Sequence, residues 1–361
     1  MNKAEKIKNF DPNGIGEKGN NIYGLPFTTD EAEVVVIPVP WEVTVSYSAG
    51  TAKGPTAVFE ASYQVDLYDP YIQEAWKLGI AMEAIDKKLQ SKSNLLRKKS
   101  EKYIDMLSVG KTWETNKAMK AIRDEVNKEC VKMNMWVKEK VLGYLNKNKI
   151  VALLGGDHST PLGMMQALAD KHDSFAVLQI DAHADLRDAY EGFEFSHASI
   201  MYNALKIKQV SKLVQVGIRD YCEAETNVVK NSNGRVNCFY DRDIKHKQYN
   251  GTSWSEICDS IVAALSEKIY LSFDIDGLDP KLCPNTGTPV AGGFEAEQVL
   301  FLIQKVVESG KKIIAFDINE ITPGKPAGRS GNAGRDEWDA NVGARLLYRI
   351  TNMVARSNGK C

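Results

Sequence analysis

From residue 150 onward the chain alternates short apolar runs with stretches of helical spacing, and this alternation constrains the fold more than any other feature of it. The runs fall at 150–154, 175–180, 213–217, 236–240, 269–273 and 313–318, and the helical stretches near 160–171, 198–208, 255–267, 295–309 and 337–356. Runs that are apolar on both faces, each followed by a helix, predict a parallel sheet covered by helices on both sides, an α/β fold. A further run, Val34 to Ile37, reads as the first buried strand, stopped by Pro38-Val39-Pro40-Trp41. A chain of 361 residues is long enough for one large α/β domain or two ordinary ones.

Three of the runs end in acids or histidines. Phe175 to Ile180 leads into Asp181-Ala182-His183-Ala184-Asp185, Ile150 to Leu154 into Gly155-Gly156-Asp157-His158-Ser159, and Ile269 to Phe273 into Asp274-Ile275-Asp276. Alternate residues of an extended chain face the same way, so Asp181, His183 and Asp185 project together. Neighbouring parallel strands share a crevice at their carboxyl ends, and charges gathered there need a partner, of which a cation is the simplest. The candidate ligands are His158, Asp181, His183, Asp185, Asp274 and Asp276. Two histidines with four carboxylates and no thiolate favour an ion such as Mn²⁺ over structural zinc. Six ligands exceed the needs of one tetrahedral ion and point to two, which could share and ionise a water for hydrolysis at neutral pH.

The rest of the sequence sets limits. A formal charge of -1, from 46 basic and 47 acidic residues, gives no reason to expect nucleic acid as a partner. No apolar run reaches the roughly 20 residues of a membrane span, and the start does not read as a signal peptide, so the expected location is cytoplasmic. The six cysteines, Cys130, Cys222, Cys238, Cys258, Cys283 and Cys361, are far apart and read as reduced packing residues. Residues 1–30 read as an irregular arm, and 31–361 as one domain with a helical insert at about 84–148, two helices broken near Ser108-Val109-Gly110. The Met and aromatic stripe of that insert reads as core packing. His172 and His246, in charged surroundings, read as solvent-facing, and Asp157 and Asp279 as turn-making or supporting acids.

The three segments resemble the signatures of the ureohydrolases, the arginase and agmatinase family, in order and separation. The similarity extends to Thr286-Gly287-Thr288-Pro289 and Ala315 to Glu320, and so spans about residues 33–320. It implies a three-layer α/β/α sandwich with a central parallel sheet, a binuclear manganese site and hydrolysis of a guanidino or amidino carbon-nitrogen bond. By resemblance, Asp181 and Asp274 bridge two ions, His158 and Asp185 complete one site, and His183 and Asp276 the other. Asp185 also accepts a hydrogen bond from the bridging hydroxide. Glu320 pairs with the guanidinium, and His197 shuttles a proton to the leaving amine. Trimers or hexamers are usual for the family.

The substrate is less constrained. Where arginases have an Asn and hydroxyls for the amino acid's carboxylate, this chain has Leu186-Arg187-Asp188 and a loop running to Phe195, more like agmatinases. Arginase activity therefore falls in rank, and formimidoylglutamase is disfavoured by His197. Agmatine, cut to putrescine and urea, is the leading substrate, with Glu320, Thr288, Trp41 and Arg187 as expected contacts. Free guanidine is the first alternative, because Trp41, Tyr47, Tyr190 and Phe193, together with extra segments such as the loop at 323–338, could close the pocket to a small cation; relatives with that activity use Ni²⁺ in place of two Mn²⁺. A catalytically silent, metal-binding regulatory subunit is the alternative from another class.

Overall fold

A computed structural model of the protein describes residues 1–324 and 337–360. The apolar runs form β1 (Val34–Pro38), β3 (Ile150–Leu154), β4 (Phe175–Ile180), β5 (Val210–Ile218), β6 (Val236–Tyr240), β7 (Lys268–Asp274) and β8 (Lys312–Asn319). With the short β2 (Ile80–Met82) they make one all-parallel sheet in the order β2-β1-β3-β8-β7-β4-β5-β6. Alternate residues serve opposite cores. Val177 packs on one face with Val151, Leu153 and Tyr270, whereas Leu178 and Ile180 pack on the other with Ala152 and Phe273.

Helices α2 (Gly54–Ser62), α9 (Trp254–Ala263), α10 (Ala296–Glu308) and α11 (Trp338–Ser357) cover one face, and α3 (Lys87–Ser108), α4 (Lys117–Leu145), α5 (Leu162–Ala169) and α6 (Ile200–Ala204) the other. This is the expected α/β/α sandwich. The insert is the pair α3 and α4. Each begins at a side-chain cap, Asp86 accepting from Lys88 N and Leu89 N, and Asn116 from Ala118 N and Met119 N. The stripe Met119, Val126, Cys130, Met133, Val137 and Val141 recurs at helical spacing and is buried against α5 and the sheet, so the insert belongs to one layer of the domain. Cys130, Cys258 and Cys283 are buried free thiols, and Cys222 and Cys238 half-buried ones. His246 is exposed and His172 half-buried.

Two expectations are corrected. The first 30 residues are not simply irregular: they contain α1 (Lys3–Asn9), and Ile22, Tyr23, Leu25 and Phe27 are buried in the main core. Tyr23 donates its hydroxyl to Ala344 O at 3.0 Å, and Lys3 and Lys6 reach Leu78 O and Glu31. Apolar residues spaced among Gly and Asn can still be buried when a neighbouring helix supplies the surface. Two amphipathic surface helices were also not anticipated, α7 (Glu223–Lys230) and α8 (Asp241–Tyr249); their charged sequences carry few core residues. Of the loop at 323–338, residues 325–336 lie outside the described part. No described helix is long and apolar enough to cross a membrane.

Candidate metal centre and substrate cleft

The chain order reverses around the middle of the sheet, where β8 and β7 lie between β3 and β4, and a crevice opens at the carboxyl ends of these four strands. Close packing builds it. A Cβ on Gly155 would strike the Asn319 side chain, and one on Gly156 the backbone of Trp41, so only glycine lets the β3 turn approach that closely. All six expected ligands converge there. His158 Nδ1 lies 3.0 Å from Asp181 Oδ2, 3.1 Å from Asp185 Oδ2 and 3.2 Å from Asp274 Oδ2. His183 Nδ1 lies 3.0 Å from Asp276 Oδ2 and 3.7 Å from Asp181 Oδ1. Two candidate metal-binding groups result, His158-Asp181-Asp185 and Asp181-His183-Asp276, with Asp181 in both and Asp274 on the His158 side.

The donors fit a pair of cations. Despite three carboxylates nearby, His158 Nδ1 is buried with no hydrogen-bond partner, and among the described residues no Lys or Arg side chain pairs with the four aspartates. Burial, then repulsion from Asp181, pushes the Asp185 carboxyl up to about 7; burial, with Asp276 and Asp181 beside it, pushes Asp274 well up. Burial alone would lower the His158 imidazole, but the carboxylates of Asp181, Asp185 and Asp274 beside it raise it well above its ordinary value. Asp185 and Asp274, buried carboxyls whose proton affinity neighbouring carboxylates raise, mark a site that calls for positive charge.

Supporting groups hold the ligands in place. His158 Nε2 is 2.9 Å from Ser272 Oγ, which donates to Asp317 Oδ1 at 3.2 Å. Asp317 also accepts from Phe273 N, Tyr270 Oη and Asn319 Nδ2. Ser272 has one proton and gives it to a carboxylate, so its lone pair accepts from His158 Nε2–H, and in the neutral imidazole this leaves the Nδ1 lone pair aimed at the cluster. Gln179 donates to Asp181 Oδ2 at 2.7 Å and is itself held by Gln215 at 2.7 Å. Asp276 Oδ1 accepts from Ala182 N at 3.0 Å. Asp157 is buried and caps its own turn by accepting from Ser159 N, and Asp279 accepts from Lys281 N, the supporting parts expected of them. Asp185 and Glu320 have left-handed backbones, φ 53° and 63°, a conformation that persists in non-glycine residues only where the surroundings enforce it.

His158, His183, Asp185, Asp274, Asp276, Arg187, His197, Thr288 and Glu320 line the cleft, together with Ser46, Tyr190, Asp220, Tyr221 and Glu225. Glu320 is buried at the base, and its Oε1 accepts from His158 N at 2.8 Å. Burial, then the charges of Asp274 and Asp157, raises its carboxyl well above the usual range. Burial, then the charges of His183, His158 and Arg97, lowers His197 to about 3, so its imidazole is neutral. Arg187 stacks on Tyr190, 4.7 Å from the ring centre, and lies 3.9 Å from Glu225.

A model of the arginase family matches residues 32–349. The chain belongs to the arginase family. It is 30% identical over 294 residues to the N(1)-aminopropylagmatine ureohydrolase of Thermus thermophilus, covering 81% of this chain and 84% of that one. It is 24% identical to an agmatinase of Bacillus anthracis, over 81% and 85% of the two chains. The crystal structure of agmatine ureohydrolase of Thermoplasma volcanium superposes with a TM-score of 0.67 at 20% identity over 99% of each chain, and shares the fold. This arginase-family chain is therefore a hydrolase of guanidino carbon-nitrogen bonds, in a family that depends on binuclear metal sites, and it carries two candidate metal-binding groups.

Some expected contacts are corrected. Trp41 is 1% exposed and sits in the core under α3 and α4, off the cleft. Phe193 is buried against Tyr103, with ring centres 5.0 Å apart, and Tyr47 is 82% exposed. Of the four aromatics expected to narrow the pocket only Tyr190 lines it. A loop's sequence does not show which of its rings a neighbouring helix will cover. The cleft residues not anticipated, Asp220, Tyr221 and Glu225, follow the end of β5, and the strand-end rule that found the ligands would have found Asp220.

Proposed function

We propose that this enzyme hydrolyses guanidino-alkylamines of the agmatine class, releasing urea, with N(1)-aminopropylagmatine and agmatine as first candidates. The observation that carries this is the shape of the cleft. It runs from the buried Glu320 to Asp220 and Tyr221 at the surface, and among the described residues Tyr190 is the only one of the four expected aromatics that lines it. Asp220, with its side chain 69% exposed at the mouth, is a carboxylate suited to the amine of an extended cationic substrate. The names of the relatives support the same class.

The guanidinium enters toward the Glu320 carboxylate, which lines the cleft and is a planar acceptor suited to it. Two divalent cations, manganese first and nickel as the alternative, would supply a solvent molecule ionised at neutral pH. Asp185, which lines the cleft, would be placed to accept a hydrogen from a solvent molecule held there and so to orient it toward the guanidinium carbon. The bond to the alkylamine breaks as nitrogen takes a proton, which the neutral His197 imidazole relays across the cleft. Water and the guanidinium ion thus become urea and an alkylammonium. The functional state is taken to be a cytoplasmic homo-oligomer, trimer or hexamer, and light scattering on the eluted protein gives the subunit count.

Urea release from aminopropylagmatine, agmatine, guanidine and arginine, with Mn²⁺ and then Ni²⁺, tests the proposal. The expected order puts the two amines first. Faster turnover of guanidine, or none of any compound, overturns it.

A further inference from the structure

The helical insert is the largest part of the chain to which the chemistry above gives no task, yet it touches both loops that frame the cleft. On one side, Ser93 of α3 accepts from Glu42 N at 3.1 Å, and Arg97, itself buried, donates to Val45 O. Those bonds hold the segment that carries Ser46 into the cleft and Thr44 beneath His197, whose N–H donates to Thr44 Oγ1 at 3.3 Å. On the other side, Tyr103 of α3 donates to Glu191 O at 2.8 Å and packs its ring on Phe193. Asn127 of α4 clamps the same loop with both ends of its amide, donating to Gly192 O at 3.2 Å and accepting from Glu194 N at 2.9 Å.

The clamped loop needs such support. Ala189, Glu191 and Gly192 have φ of 58°, 55° and 81°, and two of the three pay the steric cost of a side chain in the left-handed region. Gly192 sits tight under the insert, where a Cβ would come within 2.9 Å of Tyr103 Oη and 3.0 Å of Arg123 Cδ. Between these residues stands Tyr190, the aromatic wall of the cleft, with Arg187 stacked on it and the His197 ring 6.3 Å away. None of the clamp residues lines the cleft itself.

We infer that α3 and α4 are a brace for the substrate wall: Asn127 and Tyr103 are positioning residues that fix Tyr190 and Arg187 at the distance from Glu320 that suits an extended guanidino-alkylamine. This rests on the proposed function for the substrate, though not for the brace. Loosening the clamp lets the wall drift and weakens the fit of the alkylamine, while the metal cluster, built on the strand ends, keeps its geometry.

The test uses the full chain loaded with Mn²⁺. Asn127→Ala and Tyr103→Phe should each raise KM for the better amine roughly three- to tenfold, the cost of a lost hydrogen bond, with kcat within about twofold and metal content unchanged. Amide hydrogen exchange of residues 188–195 should accelerate at least about tenfold in Asn127→Ala, while β4 and β7 exchange as before. Tyr103→Phe keeps the ring on Phe193 and should show the smaller effect. If wild-type protein turns over no guanidino compound, the functional proposal fails and exchange alone decides the brace. Unchanged exchange of 188–195, or a fall in kcat with KM constant, overturns the brace.

Discussion

The two halves of the metal centre are built unequally. The inner group, His158, Asp181, Asp185 and Asp274, is sealed, with side chains no more than 7% exposed, and His158 is locked from behind by Ser272 and Asp317. The outer group shares Asp181, but its histidine, His183, is 23% exposed, and its Nε2 faces Asp220 at 3.9 Å in the mouth rather than a buried partner. A ligand with a fixed tautomer and rotamer loses little freedom when it binds, whereas one open to water must be ordered at that moment. The expectation is therefore that the inner position retains its cation and the outer one exchanges it.

The largest expected effect comes from removing what the halves share. Asp181→Ala should lower kcat/KM at least about a thousandfold and release both ions, read by elemental analysis; retention of one full equivalent would mean that the halves are independent. Next is stepwise chelation. Dialysis against increasing EDTA should remove metal in two stages, with activity lost in the first, and a single stage would show that the burial difference has no thermodynamic weight. Asp317→Ala should sharpen the contrast: losing the carboxylate frees the Ser272 hydroxyl from its acceptor, and affinity for the tighter ion should fall roughly 10- to 100-fold by calorimetry. The weaker site should change much less. The smallest effect is expected for Asp220→Asn, which should leave metal content and kcat alone and raise KM for the amine substrate only a few-fold, since an exposed ion pair contributes little.

The same contrast separates what could be read in the sequence from what could not. The candidate ligands were legible because each follows a largely apolar run, and a run buried on both faces has few alternatives to a central parallel strand. His158, Asp181 to Asp185, and Asp274 with Asp276 were found on that ground alone. The backing groups were less visible: Gln179, Ser272 and Asp317 are single polar residues inside strands, and nothing local says whether such a residue faces a core partner or a ligand. β2, three residues long, is too short for a periodicity. The mouth was misjudged at Trp41 and Phe193, because burial of a loop side chain depends on where α3 and α4 lie, a property of the tertiary fold. The polar face of α7, which carries Glu225 into the cleft, gave no apolar signal.

The place of β8 in the sheet has a consequence for how the enzyme is made. It inserts between β3 and β7, so a nascent chain that has not yet emerged past Asn319 can pair only as two partial sheets, β2-β1-β3 and β7-β4-β5-β6, each with a bare central edge. Asp317 and Glu320 arrive with that same late segment. Until β8 is in place between β3 and β7 the crevice cannot close, and each partial sheet keeps an adhesive edge.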